Sequence, residues 1–117
     1  MNFNPYEELS IFLASRETYL QQILLKLENF KLDVIRTNAL PRTITIDALV
    51  SNHLCCSNTL EQLKGMVNHV CSMPLTPDTN MATYDLHNRL LNWTMIYKAN
   101  VEDKIDLEIS FLNGSLV

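Results

Sequence analysis

Residues 45–73 read TIDALVSNHLCCSNTLEQLKGMVNHVCSM, and this stretch decides the fold. Apolar or seam-compatible residues fall at Ile46, Leu49, His53, Cys56, Leu60, Leu63, Val67 and Val70. The steps alternate three and four, the heptad spacing that keeps one face of a helix against a neighbour. Its only formal charges are Asp47, Glu61 and Lys64, fewer than a helix with one wet face usually carries. The segment is therefore expected to lie between other helices, with the rest of the chain folded around it. Thr45 is the expected N-cap and Pro74 the stop, giving a helix over about 46–73.

On the N-terminal side a second seam runs Leu9, Leu13, Arg16, Leu20, Ile23, Leu27, Phe30, Val34. Asn4 suits an N-cap, Pro5 the first helical position and Glu7 a capping-box acid, so a first helix is expected over about 5–38. At the usual rise it is a rod of roughly 50 Å. Its outward positions are Ile11, Thr18, Leu25 and Leu32, three of them apolar where a solitary bundle would carry charge. Leu25 and Leu32 either pack beneath a third helix or face a partner. Phe12 and Tyr19 widen the inner face. The short connector around Pro41–Ile44 makes the first two helices antiparallel neighbours.

On the C-terminal side, Thr76-Pro77-Asp78 opens a third helix, expected over about 77–113 with Asn113-Gly114 as its C-cap. Its apolar residues are Leu86, Leu90, Trp93, Tyr97, Val101, Ile105, Ile109 and Leu112. Their steps are mostly four, so the stripe should drift around the helix and wrap across its neighbours, or change neighbours near Tyr97 and Val101. Residues 105–111 also alternate apolar and polar, a strand pattern, but no partner strand is legible and helix is the expectation. The outward positions of the second helix, Ser51, Asn58, Gly65 and Ser72, are small and uncharged. Gly65 either permits close approach of another helix or is simply tolerated.

Composition agrees with an all-α antiparallel bundle of three long helices in a single domain over 1–117. Hydrophobic residues make up 47%, and only two glycines and four prolines occur in 117 residues, too few turn glycines for most sheet or nucleotide-binding folds. The net charge is −4. Residues 77–117 carry three basic and six acidic side chains, and no basic stripe appears, which argues against nucleic-acid binding. The N-terminus does not read as a signal peptide, and no apolar run is long enough for membrane insertion. Three cysteines, an odd number, read as free thiols in an intracellular setting, cytoplasm or nucleus. The sequons at Asn92 and Asn113 are then chance matches.

Chemistry-bearing residues crowd into the second helix: His53, Cys55, Cys56, His69 and Cys71. His53 and Cys56 share a face, but the paired spacing of a zinc site is missing, and no metal or other cofactor is expected. Cys56 reads as a core filler and His53 as a seam residue that fixes register. A cysteine nucleophile would sit in a regular helix without a glycine-rich loop to form an oxyanion hole, so no catalytic residue is assigned. Arg16, the one charge in the first seam, either pairs with Asp78 or Asp85 or packs its stem and reaches water, the favoured case. Trp93, Tyr97, Tyr84 and Met95 read as one aromatic and thioether cluster, with core the favoured role and an interface anchor the other.

These features favour a non-enzymatic helical interaction module, a structural, adaptor or scaffold subunit that self-associates or joins a protein complex. The residues expected to touch a protein partner are Ile11, Leu25, Leu32, Trp93, Tyr97, Glu102, Asp103 and Asp106. The competing expectation is a small helical enzyme or ligand binder with a polar pocket around Arg16, His53 and His87. It requires those three side chains to converge, whereas the first reading has them scattered. A thiol or metal switch through Cys55, Cys56 and Cys71 is the weakest of the three.

Overall fold

The computed structural model describes residues 5–37 and 43–115. Helix α1 (Pro5–Thr37) is followed by α2 (Thr43–Cys71) and α3 (Pro77–Tyr97); a π-helical turn, Lys98–Glu102, then joins α3 to α4 (Asp103–Ser115). Among the described residues there is no strand, and residues 105–111 are helical. The rods pack as an antiparallel all-α bundle measuring 59 × 26 × 17 Å. Glu17 meets Lys64 and Ser10 meets Cys71, so α2 runs antiparallel to α1. Phe12 meets His87 and Arg16 meets Thr94, so α3 runs parallel to α1.

The seams form the core. All eight residues of the α2 seam are buried, from Ile46 to Val70, which puts α2 in contact with both neighbours along its length. In α1, Leu9, Leu13, Ile23, Leu27, Phe30 and Val34 are buried, while Arg16 and Leu20 are half-buried. In the third rod Leu86, Leu90, Trp93, Tyr97, Val101, Ile105 and Leu112 are buried, and Ile109 is half-buried. Burying each such aliphatic side chain is worth about 1.5–3 kcal/mol. The third seam also reaches back through Thr79 and Thr83, whose polarity hid them from a hydrophobic count. Their hydroxyls donate to backbone carbonyls, Thr79 to Pro74 at 3.0 Å and Thr83 to Thr79 at 2.8 Å, so burial leaves neither unsatisfied.

The helix ends follow their signals in part. Thr76 caps α3: its hydroxyl accepts from the Thr79 N–H at 3.3 Å, and the Thr79 hydroxyl accepts from the Thr76 N–H at 2.7 Å. This is a reciprocal capping box built with threonine at the third position. Helix α2 starts at Thr43, so Thr45 lies inside it instead of capping it. The β-branched residues there lower helix propensity only slightly, too little to delay the start. At its other end α2 stops at Cys71, before Met73: Ser72 and Met73 donate back three residues, to His69 and Val70, in a tightened last turn. The Tyr6 hydroxyl reaches the Met73 and Pro74 carbonyls at 2.9 and 3.0 Å, tying that connector to α1. The last helix passes through Asn113 and Gly114 to Ser115, so the expected C-cap is inside it. The expected caps and stops at Asn4, Asn38 and Pro41 lie outside the described residues.

The third rod shifts its packing at the π turn, as the steps of four suggested: α3 lies against both α2 and α1 and the turn against α2, whereas α4 packs mainly on α1. Its core steps from Trp93 through Tyr97 and Val101 to Ile105 are 4, 4, 4, one residue more than the heptad pattern 4, 3, 4. The π turn takes up that extra residue: the Asp103 N–H donates to the Lys98 carbonyl, a five-residue span. Tyr97, Val101 and Ile105 are all 0% exposed as a result.

Candidate functional site

The polar and aromatic residues between α1, α2 and α3 form one layered cluster near the middle of the bundle. Trp93 and Tyr97, one turn apart on α3, stack with ring centroids 5.1 Å apart at 12°. The Tyr19 ring of α1 stands edge-on to both, 6.5 and 5.8 Å away. The Trp93 indole N–H donates to the Cys56 carbonyl at 2.6 Å, and His53 Nδ1 lies 3.0 Å from the Tyr97 hydroxyl. Buried tyrosine and tryptophan thus each satisfy a polar tip inside an apolar site. Burial pushes the Tyr97 hydroxyl above its ordinary range and lowers the His53 pKa, which nearby Glu28 only partly restores. In the neutral imidazole with its proton on Nε2, Tyr97 donates to Nδ1.

Trp93 and Tyr97 are therefore core residues, 3% and 0% exposed, and do not form a partner surface. They sit at seam positions, and the seam spacing places them inward. Tyr84 and Met95 are 70% and 69% exposed, so the expected four-residue cluster is split between core and surface. The acidic run is also partly engaged within the chain. Glu102 accepts the Tyr19 hydroxyl, and this bond, after burial itself, holds the Tyr19 pKa above its ordinary value. Asp106 pairs with Lys26 of α1, and Asp103 is exposed.

Arg16, His53 and His87 do not line one cavity. The Arg16 guanidinium lies 4.7 Å from the centre of the Phe12 ring and donates to the Thr94 hydroxyl at 2.8 Å. Neither Asp78 nor Asp85 is its partner; Asp85 accepts from Arg89 one turn further along α3, at 2.9 Å. A cation on an aromatic face, with two hydroxyl acceptors, Thr94 and Ser15, is held without an acid. His87 packs on the other edge of that contact, 4.3 Å from Phe12, while His53 lies on α2 against Tyr97. One cleft, about 480 Å³, lies between α2 and α3 beside Gly65, Met66, Ala82 and Asp85, and a larger one, about 730 Å³, lies between the start of α1 and the start of α3. It is lined by Glu8, Leu9, Leu75, Asn80, Tyr84 and His87 among others, and neither Arg16 nor His53 reaches it.

The thiols are dispersed. Cys55 is exposed, Cys56 is buried with its pKa raised by burial, and Cys71 is half-buried beside Ser10. Among the described residues no group of three or more His, Cys, Asp or Glu is placed to hold a metal ion. No helix among them is long and apolar enough to cross a membrane.

What remains is the surface. Ile11, Leu25 and Leu32 are 64%, 59% and 55% exposed, so Leu25 and Leu32 do not pack beneath the third helix. Ile35, at 74%, belongs to the same outward side and was legible from its three-residue step after Leu32. Leu54 on α2 and Met81, Tyr84, Leu91 and Met95 on α3 are exposed as well. On α3 the sequence singled out Tyr84 and Met95; Met81 and Leu91 are tied to them by outward steps of three and four. Comparison with known proteins gives no analogue: no family model, curated protein or solved structure matches the chain.

Proposed function

We propose that the chain is a non-enzymatic helical interaction module, a structural or adaptor subunit that works by apolar contact along its helices. One observation carries this reading: Leu25, Leu32 and Ile35 stand exposed on one outer side of α1, with Ile11 further along it, while the opposite face is already buried. Exposed apolar patches on soluble proteins mark interaction sites. The dispersal of Arg16, His53 and His87 supports the same reading, because a small-molecule site needs a few convergent polar groups in one pocket. The acidic balance favours protein over nucleic-acid partners, and unpaired thiols favour an intracellular setting.

The test is the size of the species that the tagged chain forms in extracts of its source cells, wild type against Leu25→Glu with Leu32→Glu. The expected result is a species larger than the 13.5 kDa chain, lost in the variant while the purified variant keeps its helix content. Monomeric elution of the wild type from the extract would refute the reading.

A further inference from the structure

Helix α1 carries a second heptad seam, distinct from the one in the core. Ile11, Ala14, Thr18, Gln21, Leu25, Glu28, Leu32 and Ile35 alternate steps of three and four without a break, and all eight are exposed. The seam spans about 36 Å at the usual rise and contains a single charge, Glu28. Five of the eight are apolar, Ile11, Ala14, Leu25, Leu32 and Ile35, and Thr18, Gln21 and Glu28 are polar; apolar residues at a/d spacing are what another helix packs on, and polar ones among them set its register. We propose that this row is a self-interface, on which α1 of a second copy of the chain packs antiparallel. The proposal rests on reading the chain as an interaction module and names its partner and geometry.

The row is complementary to its own reverse. In antiparallel packing centred near residue 23, Ile11 meets Ile35 of the second copy, Ala14 meets Leu32, Thr18 meets Glu28 and Gln21 meets Leu25. Aliphatic residues then face aliphatic ones at the ends, and the lone carboxylate faces a hydroxyl that can donate to it. The flanking positions agree: Ser10 stands near Lys31, Glu17 near Leu24, Ser15 near Arg36 and Gln22 near Asn29, with no like charges opposed. Parallel, in-register packing would instead place Glu28 on Glu28 and Lys31 beside Arg36. Like charges at such positions are destabilising and select orientation. An isologous two-fold contact of this kind closes at a dimer.

Leu54 adds to the patch. The Glu17–Lys64 and Ser10–Cys71 contacts fix the α1–α2 register and bring Leu54 level with Leu27, on the flank of the row.

Three measurements on the purified, reduced full-length chain test this. Light scattering over a range of concentrations should give about 27 kDa, twice the chain mass of 13.5 kDa, and Leu25→Glu with Leu32→Glu should halve it with helix content retained. A photoreactive benzoylphenylalanine at Ile35 should cross-link to the peptide around Ile11, which lies too far along the same helix to be reached within one chain. Thr18→Lys, at an exposed position where folding is not at stake, creates two pairs with Glu28 across the dimer. It should tighten dimerisation roughly three- to five-fold at low salt. Cross-links to the region around residue 35, or weaker association of Thr18→Lys, would overturn the antiparallel geometry. A monomer at every concentration would overturn the self-interface; the extract experiment then tells the two ideas apart. A large species in extract that the two-glutamate variant loses keeps the module reading with a different partner. A monomer in both settings removes both.

Discussion

The His53–Tyr97 contact is the sharpest place to test the packing described here. His53 is 7% exposed and Tyr97 0%, and each is the other's hydrogen-bond partner at 3.0 Å. Tyr97→Phe keeps the ring that stacks on Trp93 and removes only the hydroxyl. It leaves a buried imidazole nitrogen without a donor, a cost of about 1–3 kcal/mol. His53→Leu is similar in volume and leaves the Tyr97 hydroxyl stranded, with a cost of the same order. Removing both groups together strands neither, and such paired replacement is nearly neutral. The double variant should therefore be less destabilised than the sum of the singles by about 2 kcal/mol or more. Urea unfolding at one fixed chain concentration, followed by far-UV circular dichroism, gives the three values. Fluorescence of Trp93, the only tryptophan, reports the same transition from inside the cluster. Measurements near pH 8 keep the imidazole neutral in both folded and unfolded chains. Single-variant costs that add to within about 0.5 kcal/mol would refute the reasoning, because residues without a shared interaction behave additively.

Four further outcomes follow from the same geometry. Because burial lowers the His53 pKa, the unfolded chain takes up a proton there before the folded chain does. The stability this group contributes should be fully present above about pH 6.5 and fall as pH drops below it, by at most about 1.4 kcal/mol per pH unit, and His53→Leu should remove that part of the slope. A Cβ built on Gly65 meets nothing within 4 Å, so Gly65→Ala should stabilise by about 0.5–1 kcal/mol and raise the thermal midpoint by about 2–4 °C. Leu27→Ala and Leu63→Ala, at positions 2% and 6% exposed, should each cost about 2–5 kcal/mol in urea unfolding. Deleting exposed Ala99 should convert the π turn to regular α-helix and leave the urea midpoint close to wild type. Inserting an alanine at Asn92, in the regular helix, should rotate everything beyond it off the core and destabilise strongly.

The core was legible because burial here is a matter of period. A row at steps of three and four has one geometric meaning, and every residue of the α2 row is inside. His53 and Cys56 fell into place with the leucines because position, not polarity, sets where a side chain points on a helix. The failures have a common cause. Thr79 and Thr83 are inside, yet they look like surface residues until their carbonyl partners are known. Arg16 read as a packed stem with its head in water, an ion pair being the alternative; its head instead lies on Phe12, one turn away on the same helix, and donates to Thr94 on another. Trp93 and Tyr97 have the chemistry of interface anchors, but their seam positions outweigh it.

The third rod shows what a period can and cannot say. Steps of 4, 4, 4 in an ideal α-helix carry a stripe steadily around the axis, and drift was the direct reading. The same three steps also equal a heptad pattern with one residue inserted, and the fold uses that second solution. Drift would carry Val101 and Ile105 away from α1 and α2, whereas one wide turn keeps both fully buried. Two large aliphatic side chains held in the core outweigh one turn of poorer hydrogen bonding. The outward row of α1 obeys the same arithmetic in its simplest form, with no insertion to absorb over eight positions. On the self-interface proposed above, a reversed copy of the row packs aliphatic ends on aliphatic ends and opposes no like charges along it.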